Sequence, residues 1–227
     1  MSLPSDARDI WITGEAAPGS RREAKHHLVS ETKRAIEHIA LLDVDDPATP
    51  EAAVASAVAD MRRLADALEA LPSLASRGGA ASAGGDDARL MERSGVTGRS
   101  NPLAPPMHLS FEDDLTRGWA VYNAAYEGPP GCLHGGFVAA AFDDLLGVAQ
   151  TASGTAGYTG TFTVRMLRPT PLGKRIDYTA GVERVDGRKI WCWGRSCVGD
   201  DLLAEAEIVF ITPRRGIDPT GAPNPAV

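Results

Sequence analysis

His134-Gly135-Gly136 leads into an almost wholly apolar segment, "FVAAAF", which runs directly into two adjacent aspartates, Asp143 and Asp144. Glycines at a helix start present backbone N–H groups that lack intrahelical partners, lie along the helix dipole and carry no side chain to block a ligand. Such donors stabilise a developing oxyanion, and removing one from an enzyme costs about 2.7–4 kcal/mol. A carboxylate held close by can serve as a general base worth roughly 10²–10⁴ in rate. Together they are the groups that acyl-transfer hydrolysis needs. Other readings of these residues are weaker. His134 has no HExxH pattern or His/Cys cluster around it, so it is read as shaping the turn into the helix and no metal is expected. Cys132 stands two residues from His134 across a turn, and a structural thiol is a better reading than half of a nucleophilic dyad.

The elements that position these groups follow from the patterning. Residues 105–213 form the core of the reading: "GWAVYNAAYE" as a strand, the segment after His134 as a helix, then four strands in "GYTGTFTVRMLRP", "RIDYTAGVERV", "RKIWCWGRSCV" and "LLAEAEIVFIT". The strands are rich in Thr, Val, Ile and aromatics, and Val185-Asp186-Gly187-Arg188 is a hairpin signal. The order predicts an α+β fold with an antiparallel meander. The helix has no polar face, which predicts burial on nearly all sides, by a sheet and by a second copy. Trp191 and Trp193, two apart on one strand, are read as packing rather than as a pocket wall.

Residues 1–72 read as a helical extension. Val54, Val58, Met61, Leu64, Leu68 and Leu71 recur at helical spacing over 49–71, with Thr49 as cap and Pro50 at the first position, and "ETKRAIEHIALLD" is a second, weaker helix that could pair with it. The apolar stripe predicts packing on the main domain or on a second subunit. Residues 73–104 are rich in Gly, Ala and Ser and read as a linker, and 214–227 as a C-terminal tail. The formal charge of −7 argues against nucleic acid as a partner. Cys132, Cys192 and Cys197 lack CxxC spacing, "MSLPSDARDI" has no basic stretch followed by an apolar run, and no apolar run approaches a bilayer span. The expectation is a cytoplasmic protein with reduced thiols and no membrane span. A nucleophile elbow, a Walker loop and a dinucleotide fingerprint are all absent from the sequence.

"HGGFVAAAFDDLLG" followed by "TGTFTVRMLRPTPLG" resembles the hotdog-fold acyl-CoA thioesterases of the PaaI and THEM type, in which HGG, an Asp nine residues after the His and a strand ending in RP recur in that order. The resemblance implies a hotdog fold, a long central helix wrapped by an antiparallel sheet, here with a helical N-terminal extension. It implies that the Gly135 N–H polarises the thioester carbonyl and that Asp143 is the general base or nucleophile, in preference to Asp144. It also implies that Thr159, ten residues before Pro169, orients water or the aspartate; His134 is counted with these as a candidate catalytic residue and Gly136 as a substrate-binding one. Where some members have an Asn six residues before the His, this chain has Gly128.

Gly135 and Asp143 are eight residues apart, about 12 Å along a helix, yet both have to come within about 3 Å of one reacting carbon. Two antiparallel copies meet that demand, so the site is expected at the interface of a homodimer or dimer of dimers, Gly135 from one chain facing Asp143 and Thr159 from the other. Between 157 and 190 seven basic residues face three acidic ones, and Arg165, Arg168, Arg188 and Lys189 are the expected contacts for the phosphates of coenzyme A. Coenzyme A enters as part of the substrate, and no further cofactor is expected. The sequence thus points to a thioesterase for a medium-chain or aryl acyl-CoA. Its rivals are a non-catalytic acyl-CoA-binding or interaction module and, more weakly, an enoyl hydratase on the same fold.

Overall fold

The computed structural model describes residues 16–73, 92–155 and 157–213. In chain order the elements are α1 (Arg21–Ala40), α2 (Glu51–Glu69), β1 (Met107–Glu112), β2 (Leu115–Val121), a short 3₁₀ turn (Ala124–Tyr126), α3 (Gly135–Ala149), a second 3₁₀ turn (Gln150–Ser153), β3 (Tyr158–Met166), β4 (Arg175–Asp186), β5 (Lys189–Val198) and β6 (Asp201–Ile211). The six strands form one antiparallel sheet in the order β1-β2-β4-β5-β6-β3. Helix α3 lies against its inner face, so the expected α+β architecture of a long helix wrapped by a sheet is the one that forms. Among the described residues no helix is long and apolar enough to cross a membrane.

Strict alternation builds the core. On β5, Ile190, Cys192, Gly194 and Ser196 are buried, while Trp191 and Trp193 point to the outer face, where Arg184 lies over Trp191 at 4.0 Å and Arg195 near Trp193 at 5.6 Å. On α3, Val138, Ala141, Phe142, Leu145, Leu146, Val148 and Ala149 are buried against the sheet. Small strand residues let the helix settle close: a Cβ at Gly194 would stand 3.0 Å from Cδ1 of Phe142, whose ring meets Tyr178 edge-on. The Asp186–Lys189 hairpin closes at Gly187, with φ of +57°.

Several expectations are corrected. Two strands, not one, precede α3, because β1 and β2 form a hairpin around Asp113, whose φ is +54°. "YNAAYE" leaves the strand and forms the 3₁₀ turn, capped by the Asn123 side chain on the Ala125 N–H at 3.1 Å. The last four strands are not a simple meander: β3 pairs with β6, and β4 crosses to lie beside β2. The connection containing Pro169 and Pro171 cannot extend a ladder, and its backbone bonds instead to Gly131, Leu133 and Tyr122.

In the extension, α1 begins ten residues earlier than the apolar pattern announced, at a Ser20 cap that accepts from the Glu23 N–H. Thr49 does not cap α2; Pro50 holds that position, and the Thr49 hydroxyl donates to the Asp43 carbonyl at 2.7 Å. Among the described residues the apolar stripe of α2 stays uncovered, with Met61 45% and Leu68 41% exposed. The linker reading divides: 74–91 lie outside the described residues, as do 1–15 and the tail from 214, whereas 92–104 are packed on the body, with Glu92, Ser100 and Ala104 buried.

Phe142 is fully buried at the centre of the helix–sheet contact. Phe142→Ala is expected to lower unfolding stability by about 3–5 kcal/mol, measured by urea denaturation.

Candidate active site

Three backbone contacts build the turn that starts α3. His134 N–H donates to the Tyr126 carbonyl at 3.0 Å, Leu133 N–H to Thr170 at 2.8 Å, and Leu172 N–H to Gly131 at 3.0 Å. The chain is thereby clamped between the 3₁₀ turn and the β3–β4 connection. His134 is the N-cap, and its ring Nδ1 accepts the Gly136 N–H at 3.0 Å. That leaves the Gly135 N–H, at the first helical position, without an acceptor among the described residues. Gly136 is therefore bound to the cap rather than open to a ligand through its N–H. Over Gly135 lies the half-exposed Met166 thioether, 3.2–3.3 Å from where a Cβ would be.

Gly128 has a local explanation. A Cβ there would stand 2.7 Å from Cα of His134, so no side chain, Asn included, fits this turn without moving the cap. The departure from the resembled pattern is imposed by backbone packing.

The two aspartates part company. Asp143 is exposed, on a face of α3 that continues through Gly136, Ala139, Ala140 and Gly147, none of which is buried. Expectation is corrected here: within one chain the helix is covered on one side only, and Asp143 is not an interior carboxylate. Asp144, about 100° round the helix, turns toward the 92–104 segment, where its Oδ2 accepts from Ser94 Oγ at 2.5 Å and Thr97 Oγ1 at 2.8 Å. Partial shielding, and then the charge of Asp144, hold the Asp143 carboxyl above its ordinary range.

Thr159 is exposed on β3, paired in register with Phe210 beside a bulge at Thr159/Thr161. Among the described residues β3 has only β6 for a neighbour, which leaves its other edge open. Gln150, 6% exposed, sets where this strand begins: its side chain accepts the Gly157 N–H at 2.8 Å and donates to the Gly157 carbonyl at 3.4 Å. Sequence reasoning missed Gln150, Ser94, Thr97 and Met166. Ser94 and Thr97 lie in what reads as linker, and a lone Gln after an apolar helix carries no pattern.

The four basic residues do not converge. Lys189 shares its ladder row with Ile211 and Tyr158, so Arg188 and Lys189 sit at the Thr159 end of β3, and Arg188 also donates to the Thr212 carbonyl at 3.1 Å. Arg165 shares its row with Glu205 toward the other end, and Arg168 pairs with Asp201. Nor does one chain unite Gly135 with Asp143, which stand two turns apart on the same helix.

No family model matches the chain. Over 87 residues it is 36% identical to acyl-coenzyme A thioesterase THEM4 of Xenopus laevis, covering 37% of this chain and 39% of that protein. The Bos taurus counterpart is 33% identical over the same length, covering 37% and 35%. The alignment thus spans well under half of the curated relatives. A solved thioesterase superfamily protein is 28% identical and superposes with a TM-score of 0.70, covering 86% of this chain and 97% of the other. The chain has the hotdog fold seen in the thioesterase superfamily. Among the described residues, the small-residue face of α3 and the outer edge of β3 are both left without intramolecular cover.

Removing the neighbouring charge should relax the Asp143 carboxyl. In Asp144→Asn its titration midpoint, followed by carbon-detected NMR of labelled aspartate, is expected to fall toward the ordinary carboxylate range, because a nearby anion is what opposes ionisation. An unchanged midpoint would assign the whole shift to shielding.

Proposed function

We propose that this protein is an acyl-CoA thioesterase that works as a homodimer, or a dimer of such dimers, on a medium-chain or aryl thioester. The observation that carries the reading is the pairing of an unclaimed Gly135 N–H at a helix start with Asp143 on the open face of the same helix. In a two-fold arrangement of antiparallel α3 helices, the Gly135 N–H of one protomer and the Asp143 and Thr159 of the other flank a single thioester. Small residues at Gly136, Ala139, Ala140 and Gly147 support such an approach, since they let helices come close.

The chemistry follows from those positions. The Gly135 N–H, supported by the helix dipole, donates to the carbonyl oxygen as it becomes an oxyanion. Thr159 holds a water, Asp143 takes its proton, and the resulting hydroxide adds to the carbonyl carbon. Collapse of the tetrahedral adduct breaks the C–S bond, and Asp143 returns its proton to the departing thiolate. A carboxyl raised above its usual range makes Asp143 a stronger base for a water proton. Arg188 and Lys189, at the Thr159 end of β3, are the better placed of the basic residues for the nucleotide phosphates. Three unpaired cysteines, Cys132, Cys192 and Cys197, support a reducing compartment such as the cytoplasm.

The full-length protein is expected to release free thiol from one or more members of a panel of acyl-CoA esters. Asp143→Asn should lower kcat by roughly 10²–10⁴ with KM little changed. Binding of acyl-CoA without turnover by the wild type would instead identify a binding module. Light scattering at micromolar concentration is expected to give at least twice the mass of one chain, and a single-chain mass would remove the shared site.

A further inference from the structure

The N-terminal region has no role in the chemistry above, yet its last part is hydrogen-bonded to the helix that bears Asp143. Ser94 Oγ accepts the Val96 N–H at 3.1 Å and the Thr97 N–H at 3.3 Å, so both of its lone pairs are used and its proton has to go outward. That proton goes to Asp144 Oδ2 at 2.5 Å, and the Thr97 hydroxyl converges on the same oxygen at 2.8 Å. Asp144 immediately follows the residue assigned as the base.

The segment that carries the two hydroxyls is itself tied down. Gly98 N–H donates to the Ser94 carbonyl at 3.2 Å, and a Cβ at Gly98 would stand 2.4 Å from that oxygen, so the turn closes only with glycine there. Glu92, 8% exposed, receives Ser100 Oγ at 3.0 Å, His26 Nε2 at 2.6 Å and Arg22 Nε at 3.4 Å, the last two from α1. Asn101 Nδ2 donates to the Arg93 carbonyl at 3.3 Å. A continuous set of polar contacts therefore runs from α1 through Glu92 and the 94–98 turn to Asp144.

We propose that Ser94 and Thr97 are positioning residues of the active site: by holding the Asp144 carboxylate against the 92–104 segment they fix the rotation of the helical turn that presents Asp143 to the open face. Neighbouring helical residues point about 100° apart, so anchoring one carboxylate aims the other. The anchor also removes a competitor, since an unheld Asp144 is a second anion free to turn toward the same substrate. The 92–104 segment thus belongs to the site, although it contributes no reacting atom. This inference rests on the assignment of Asp143 as the base.

The test compares full-length wild type with S94A/T97V, the hydroxyl-retaining S94T/T97S and D143N, by thiol release and by amide hydrogen exchange. S94A/T97V is expected to lose on the order of tenfold in kcat with KM within about twofold, and S94T/T97S to recover most of that loss, as misplacement of a catalytic group predicts. Amide exchange across 141–147 is expected to quicken severalfold in S94A/T97V, a readout independent of turnover. If D143N is inactive while S94A/T97V turns over and exchanges like wild type, the positioning role is overturned and the base assignment stands. Wild-type turnover by D143N overturns the base assignment, and the exchange comparison then decides whether the anchor on Asp144 exists.

Discussion

Helix α3 is apolar or small around most of its circumference, and a single sheet covers only one side of a cylinder. The remaining features of the molecule follow from that mismatch. The inner face of the sheet has to accept bulky Phe142, Leu145 and Leu146, and it does so through small residues such as Gly194, Ala180 and Ala206. The opposite side of the helix has to remain approachable, and there the residues are Gly136, Ala139, Ala140, Asp143 and Gly147. A carboxylate on an otherwise small and apolar face is costly to cover unless it is partnered or used. Its place there is the strongest physical link between packing and chemistry in this chain.

Around the start of α3 the same economy of space operates at the level of single atoms. The His134 turn is gripped from the 3₁₀ side by Tyr126 and from the β3–β4 side by Thr170, so its position does not depend on the helix alone. His134 takes one of the first free N–H groups for itself and leaves the other open. Gly128 packs so closely on the His134 Cα that a side chain is excluded. A residue that looks like a loss of function when compared with a pattern is, in this backbone, a requirement of the turn that carries the donor.

The extension shows how a surface region can be divided in its roles. Helix α2 buries no residue, whereas the stretch from Glu92 to Ala104 is held by buried hydrogen bonds and reaches the helix that bears the aspartates. Composition alone does not separate the two. Glycine and serine lower the apolar content of both a loose linker and a tight polar turn, and only the partners of each hydroxyl tell them apart.

Periodicity of two in β4, β5 and β6, the Asp186-Gly187 turn and the unbroken apolar run after His134 determine by themselves the antiparallel sheet, its hairpins and a helix with no polar face, because side-chain direction alternates with fixed geometry in strands and helices. The spacing of Gly135 and Asp143 likewise determines that one helix cannot bring them together. Tertiary structure alone decided the rest. β3 lies beside β6 and not β4 because the proline-containing connection finds its hydrogen bonds at Gly131 and Tyr122, far away in the chain. The strand β1 escaped notice because its alternation is carried by Met107, Leu109 and Phe111 between polar residues, without β-branched residues. Most of all, which of two adjacent carboxylates is free was decided by two hydroxyls some fifty residues upstream: hydrogen-bond partners are chosen by proximity in space, and a sequence records only proximity along the chain.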